Sequence, residues 1–160
     1  MLKGEPAERL DPRAIKLWRL TGLINLLPLL VGAVVAGWAL RRFGDYSLFV
    51  AVLPALVILV LGSMSVGVAP GLRWRMWRYE IRTDEIDLQR GILWIERTLV
   101  PLARIQHVDT RQGPLQRRFG LSTVVFHTAA GPNQIPELST PVAAEVRDRI
   151  AELTGEQDEL

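Results

Sequence analysis

Leu20 to Leu40 and Leu48 to Ala69 contain no Asp, Glu, Lys, Arg or His, and only seven residues separate them. At ~1.5 Å rise per residue, runs of this length form helices of about 31–33 Å. That matches the ~30 Å hydrocarbon core of a bilayer. The chain therefore reads as a transmembrane hairpin with spans over about 20–40 and 48–69. A short segment, 1–19, precedes it, and one domain of about 80 residues follows. The first run is too long for a signal-peptide core, for which 7–15 residues is usual, and no cleavage is expected.

Charge separates the two parts. Residues 1–79 hold ten Lys/Arg against four Asp/Glu, a net +6, and residues 80–160 hold nine Arg against thirteen acids, a net −4. The overall +2 thus hides basic membrane flanks and an acidic domain. A nucleic-acid-binding domain would concentrate Lys/Arg in the folded module, so no nucleic-acid partner is expected. The absence of Cys excludes a disulfide framework, Cys-type zinc sites, lipoprotein acylation and a Cys nucleophile.

The flanks also orient the hairpin. Lys3, Arg9, Arg13, Lys16 and Arg19 precede the first run, and Arg73, Arg75, Arg78 and Arg82 follow the second. The gap carries only Arg41 and Arg42, partly offset by Asp45. The positive-inside bias then puts both termini in the cytoplasm of a multi-pass cell-membrane protein. Arg19, Arg73, Arg75 and Arg78 are the residues assigned to this juxtamembrane role. Trp18, Trp74 and Trp77 suit the cytoplasmic interface, and Trp38 and Tyr46 the outer one. Small residues recur at helical spacing: Gly32 with Ala36, Ala33 with Gly37, and Ser63 with Gly67. They allow close backbone approach in lipid, either within the hairpin or against another subunit. Mid-membrane ionisable residues are absent, which argues against an ion pathway in this chain alone.

Behind the second run the pattern shortens and turns multiply. Strands are expected near 79–82, 86–89, 92–99 (including Trp94 and Ile95), 105–110, 121–128 and 134–138. One helical turn is expected over 115–119, closed by Gly120. The last element is a helix with Thr140 as N-cap and Pro141 at its first position. Val142, Val146, Ile150 and Leu153 form its apolar stripe, and Gly155 is the expected stop before an acidic tail, 155–160. Several strands followed by one amphipathic helix make an α+β domain: a small curled sheet or barrel capped by the helix.

The stretch Pro101-Leu-Ala-Arg-Ile-Gln-His-Val-Asp-Thr-Arg-Gln-Gly-Pro-Leu-Gln-Arg-Arg-Phe-Gly-Leu-Ser-Thr-Val resembles the signature of bacterial pleckstrin-homology domains of the YdbS-like membrane family. The following turn, strand and Pro-started helix match in order, as do the two spans, so the likeness covers about 20–153. It implies a pleckstrin-homology-like small β-barrel with a C-terminal helix over 77–154. It supplies no catalytic residues. It also implies a membrane partner with similar domains and a link to cell-envelope stress or antimicrobial-peptide resistance.

Chemistry is sparse. His107 and His127 lack the E-x-x-H or H-x-H spacing of a metal site. His107, Asp109 and Ser122 are the types of a Ser-His-Asp set, but no nucleophile elbow accompanies Ser122. No phosphate-cradling loop is present. No catalytic residue, metal or cofactor is assigned. Gln112 to Gly120 reads as a shaped connection, with Leu115 and Phe119 as anchors. Arg117 and Arg118, joined by Arg104 and Arg111, form an expected outward basic corner for anionic lipid or an acidic partner patch. The expected function is a non-enzymatic, membrane-anchored interaction module that assembles with itself or a larger membrane protein. Gly32, Ala36, Gly37, Ser63 and Gly67 are its packing-face candidates. The alternatives are an anionic-lipid sensor, with its headgroup unspecified, and more remotely a membrane enzyme.

Overall fold

The computed structural model describes residues 5–44 and 46–158. Lys3, Asp45 and the last two residues of the expected acidic tail lie outside that range. The chain divides into two units, one formed by Trp18–Gly71 and the other by the residues before and after it.

The apolar unit is built on α1 (Arg13–Gly44) and α2 (Leu48–Gly67). α1 starts ahead of the expected span because Asp11 caps it. The Arg13 backbone N–H donates to Asp11 Oδ1 at 2.8 Å, and Ala14 N–H to the Asp11 carbonyl at 3.0 Å. Ser47 caps α2 and accepts from Val50 N–H at 3.5 Å. α2 breaks at Val68, and a further helix, α3 (Ala69–Met76), continues the chain. Only 6% of the apolar window of either long helix is buried. Side chains such as Leu27, Val34, Phe49 and Leu61 are left outward, as suits a surface solvated by lipid tails.

The second unit is not confined to 77–154. A two-residue strand, β1 (Glu8–Arg9), pairs with β2 (Arg78–Ile81) in the register Glu8↔Tyr79 and Arg9↔Arg78. The segment ahead of the first span is thereby part of the folded domain. β3 (Glu85–Arg90) and β4 (Glu96–Pro101) complete an antiparallel sheet of order β1-β2-β3-β4. Tyr79 is fully buried. Burial pushes its phenol pKa up, helped by a hydrogen bond with Glu8 that ties the N-terminal segment to the sheet. Trp74 adds a second tie, with its indole N–H donating to the Leu10 carbonyl at 2.8 Å.

After a 3-10 turn (Leu102–Arg104), β5 (Ile105–Arg111), a short helix α4 (Pro114–Phe119), β6 (Leu121–Thr128) and β7 (Gly131–Ser139) form a second antiparallel sheet of order β5-β6-β7. The fold is pleckstrin-homology-like, but among the described residues the strands form two sheets and no closed ring. α5 (Thr140–Asp158) runs past Gly155 and packs on β5, β6 and β7. Its buried stripe is Ala143, Val146 and Ile150; Val142 is partly exposed. Phe126, Val124, Ile135 and Leu138 complete that core with no exposure above 1%.

One strand expectation is corrected. Ile92 to Ile95 do not extend β4; they form the turn between β3 and β4. Gly91 enforces it. Its φ is +122°, a conformation that favours glycine, and a Cβ there would collide with the Trp94 carbonyl oxygen. Below the turn, the Asp87 carboxylate is fully buried. Arg97 Nε donates to its Oδ1 at 2.9 Å, and Arg82 Nη2 lies 3.5 Å from its Oδ2.

Two outcomes follow. Phe126→Ala is expected to cost about 3–5 kcal/mol in a denaturant titration of the detergent-solubilised chain. Asp11 has its pKa held low, chiefly by the hydrogen bonds from the Arg13 side chain. A depressed carboxyl pKa stabilises the fold above the unfolded value, near pH ~4, and that contribution is lost as pH falls further. Wild type should therefore lose stability below that pH more steeply than Asp11→Asn, as read by thermal melts along a pH series.

Candidate functional site

The motif from Gln112 to Gly120 is held by its polar side chains. Pro114 opens α4 with a fixed φ, and Gly120 closes it in the left-handed region at φ +64°. Gly113 N–H donates to Gln116 Oε1 at 2.9 Å. The amide of Gln116 donates to Thr123 Oγ1 at 2.9 Å and to the buried Glu137 carboxylate at 3.2 Å. Gln112 Nε2 donates to the Leu121 carbonyl at 2.8 Å and to Thr140 Oγ1 at 3.1 Å. From the far end of the sequence, Arg13 Nη1 donates to the Phe119 carbonyl at 3.0 Å. The connection is thus bolted to β6, β7 and the start of both α1 and α5.

Arg111, Arg117 and Arg118 stand exposed on and beside this connection, and among the described residues none of them ion-pairs. Arg104 does not join them. It precedes β5, whereas Arg111 ends it, and the seven-residue strand separates them by about 20 Å. The expected basic corner is therefore three arginines, with Arg104 at the opposite end beside Thr128 and Ala130.

The two histidines are cross-strand partners. His107 faces His127 in the β5–β6 register, and their rings stack with centroids 4.2 Å apart and planes 14° apart. Asp109, two positions along β5, points to the same side, with its Oδ2 3.5 Å from His107 Nε2 and 3.8 Å from His127 Nε2. His127 Nε2 is buried and has no hydrogen-bond partner among the described residues. Local i, i+2 spacing sets His107 and Asp109 on one side of β5, but only the strand register brings His127 to them. Two imidazoles and a carboxylate are donor types for a divalent transition metal. The near-parallel ring planes do not converge on one point, however, so one ring must turn before both nitrogens can share an ion. Ser122 is no part of this cluster. It sits five positions along β6, about 17 Å away, fully buried and bonded to Gln112 and Thr140. The register rules out a Ser-His-Asp set.

In the apolar unit the small residues divide. Ala33 and Gly37 are buried, and a Cβ at Gly37 would strike the Ala51 carbonyl oxygen, so this pair closes the hairpin. Gly32 and Gly67 would have nothing within 4 Å of an added Cβ, and Ala36 and Ser63 are exposed. Ser63 Oγ–H donates to the Val60 carbonyl of its own helix at 2.8 Å. Arg19 Nη2 donates to the Gly67 carbonyl at 3.1 Å, placing a cation on the free carbonyls of the α2 C-terminus. Arg78 pairs with Glu5 at 3.2 Å, while Arg73 and Arg75 are exposed on α3.

The chain orders two apolar helices, then this two-sheet domain with its terminal helix. The model of the family described as "Bacterial PH domain" matches residues 22–154. The chain belongs to the bacterial PH domain family, as a YdbS-like member. It is 35% identical to the transmembrane protein YdbS of Bacillus subtilis (strain 168) over 159 residues, 99% of each chain. It is also 27% identical to the transmembrane protein YdbT of the same organism over 81 residues, 51% of this chain but 16% of that one. No solved structure gives a significant match. Together with the two exposed apolar helices, the family places this bacterial PH protein at the membrane.

Removing the amide of Gln116 takes one hydrogen-bond donor from the buried side chains of Thr123 and Glu137. Gln116→Ala should lower stability by about 1–3 kcal/mol. Arg117→Ala and Arg118→Ala, which touch no such network, should each stay within about 0.5 kcal/mol in the same denaturant titration.

Proposed function

We propose that this protein is a membrane-anchored, non-enzymatic PH-like module. Both of its termini are cytoplasmic, and its hairpin and domain assemble with a larger PH-domain membrane protein or with a second copy. The observation that carries this reading is the division of small residues. Gly37 is consumed in closing the hairpin on Ala51 and Ala33 is buried beside it, while Gly32 and Ala36 stay uncovered. A backbone left bare on a lipid-facing helix permits close approach by another helix. The partial match to the much longer YdbT supports a partner carrying similar domains. Nothing in the His107–Asp109–His127 cluster pairs a nucleophile with a base, which supports a binding role over catalysis. A place in cell-envelope stress or antimicrobial-peptide resistance stays with the family resemblance. Anionic-lipid sensing is the second reading, favoured by the exposed Arg111, Arg117 and Arg118.

Mild-detergent co-purification of the full chain with its larger PH-domain relative tests the assembly. Gly32→Leu with Ala36→Leu should abolish recovery while leaving the domain folded; unchanged recovery would sink the packing face. Topology has its own test, since the chain has no Cys. Ser47→Cys should react with an impermeant thiol reagent applied outside intact cells, and Ser139→Cys should not.

A further inference from the structure

Ile92, Leu93, Trp94 and Ile95 are 40%, 83%, 81% and 61% exposed. Elsewhere in the same unit, the largest exposure of a big apolar side chain among the described residues is 49%, at Leu99. Four consecutive apolar side chains on one turn are a costly surface to leave in water. The turn is also firmly built. Gly91 supplies the positive φ that only it accepts easily, and the base is closed by a two-pronged ion pair. Arg90 Nη2 donates to Glu96 Oε1 at 2.8 Å, and Arg90 Nε to Oε2 at 3.0 Å.

Strand register says where this tip lies. Arg9 pairs with Arg78, Arg78 with Gln89, and Gln89 with Arg97, so these four residues form one row across the sheet. The tip begins two residues beyond that row. The chain leaves β1 at Arg9 to enter α1, and it returns from α3 to enter β2 at Arg78. Both connections to the apolar helices thus depart from the sheet end that carries the exposed tip. The same end is basic and aromatic: Arg9 lies over the Trp74 ring at 5.6 Å, and Arg73 and Arg75 precede β2.

We propose that the Ile92–Ile95 turn is a third, monotopic membrane contact. It inserts its apolar side chains among the lipids of the leaflet from which both spans emerge, so that it holds the domain in one orientation on the bilayer. Lipid is the occupant the features favour. The chain's own spans keep a bilayer permanently within reach, which makes the encounter intramolecular. Trp flanked by aliphatic residues suits the interfacial zone. The nearby arginines match anionic headgroups. The contact orients and does not localise, because the hairpin already anchors the chain. It also stands apart from partner assembly, since it uses none of the small-residue face.

The test uses the full chain in nanodiscs of phosphatidylethanolamine and phosphatidylglycerol. Trp94→Cys carries an environment-sensitive fluorophore, and Ala130→Cys, on the β6–β7 turn, is the control. Nitroxide-bearing lipids should quench the label at 94 several-fold more than the label at 130, with a blue-shifted emission. A second variant, Ile95→Cys in a Leu93→Asp, Trp94→Asp background with unchanged far-UV circular dichroism, should lose that quenching. Equal quenching at 94 and 130 overturns the proposal. So does a blue shift at 94 without lipid quenching, which would assign the turn to a protein partner instead.

Discussion

The pairing of Glu8 and Arg9 with Tyr79 and Arg78 is the constraint on which the rest of the molecule depends. It joins the chain ahead of the first apolar helix to the chain behind the second, so the hairpin is an insertion into a folded domain and not a leader in front of one. Backbone pairing alone over two residues is weak. It is reinforced by Leu10 and Ala14, buried with at most 1% exposure, by the Trp74 bond to Leu10 and by the Arg13 bond to Phe119. Asp11 belongs to the same clamp, since it starts α1 and fixes the Arg13 side chain.

Through Arg13 that clamp reaches the connection between β5 and β6, which carries several side-chain hydrogen bonds of its own. Gln112, Gln116 and Thr140 tie α4 to strands and to α5, and Arg13 reaches the carbonyl at its C-terminal end. Their role is to shape and hold, and what they leave outward is charge: Arg111, Arg117 and Arg118. Coulomb attraction to an anionic surface is screened within about a Debye length, ~8 Å at physiological salt. Three exposed arginines would therefore make a soft contact with such a surface, unlike the built turn at 92–95.

What the sequence disclosed follows from which forces are local. The spans were legible because lipid imposes a length and an absence of charge on consecutive residues. The last helix was legible because its stripe repeats with the helical period and Thr140-Pro141 marks its start. β1 was not, since a two-residue strand has no alternation to detect. Ile92 to Ile95 have a strand's β-preference whether exposed or buried; only Gly91, by its backbone angle, separates the turn from the strand. The histidine cluster and the separation of Arg104 from Arg111 are consequences of register and strand length, and neither exists until the sheet forms. Among the packing-face candidates, sequence spacing could not say which small pair the hairpin would use for itself.

The turn at 92–95 and the β1–β2 clamp bear on the same quantity, the freedom of the domain over the membrane. A domain joined to one span pivots about a single connection. This domain receives both connections at adjacent strands of one sheet, Arg9 and Arg78. An apolar turn at the end of β3, one strand further along the same sheet end, would extend that row to a third contact.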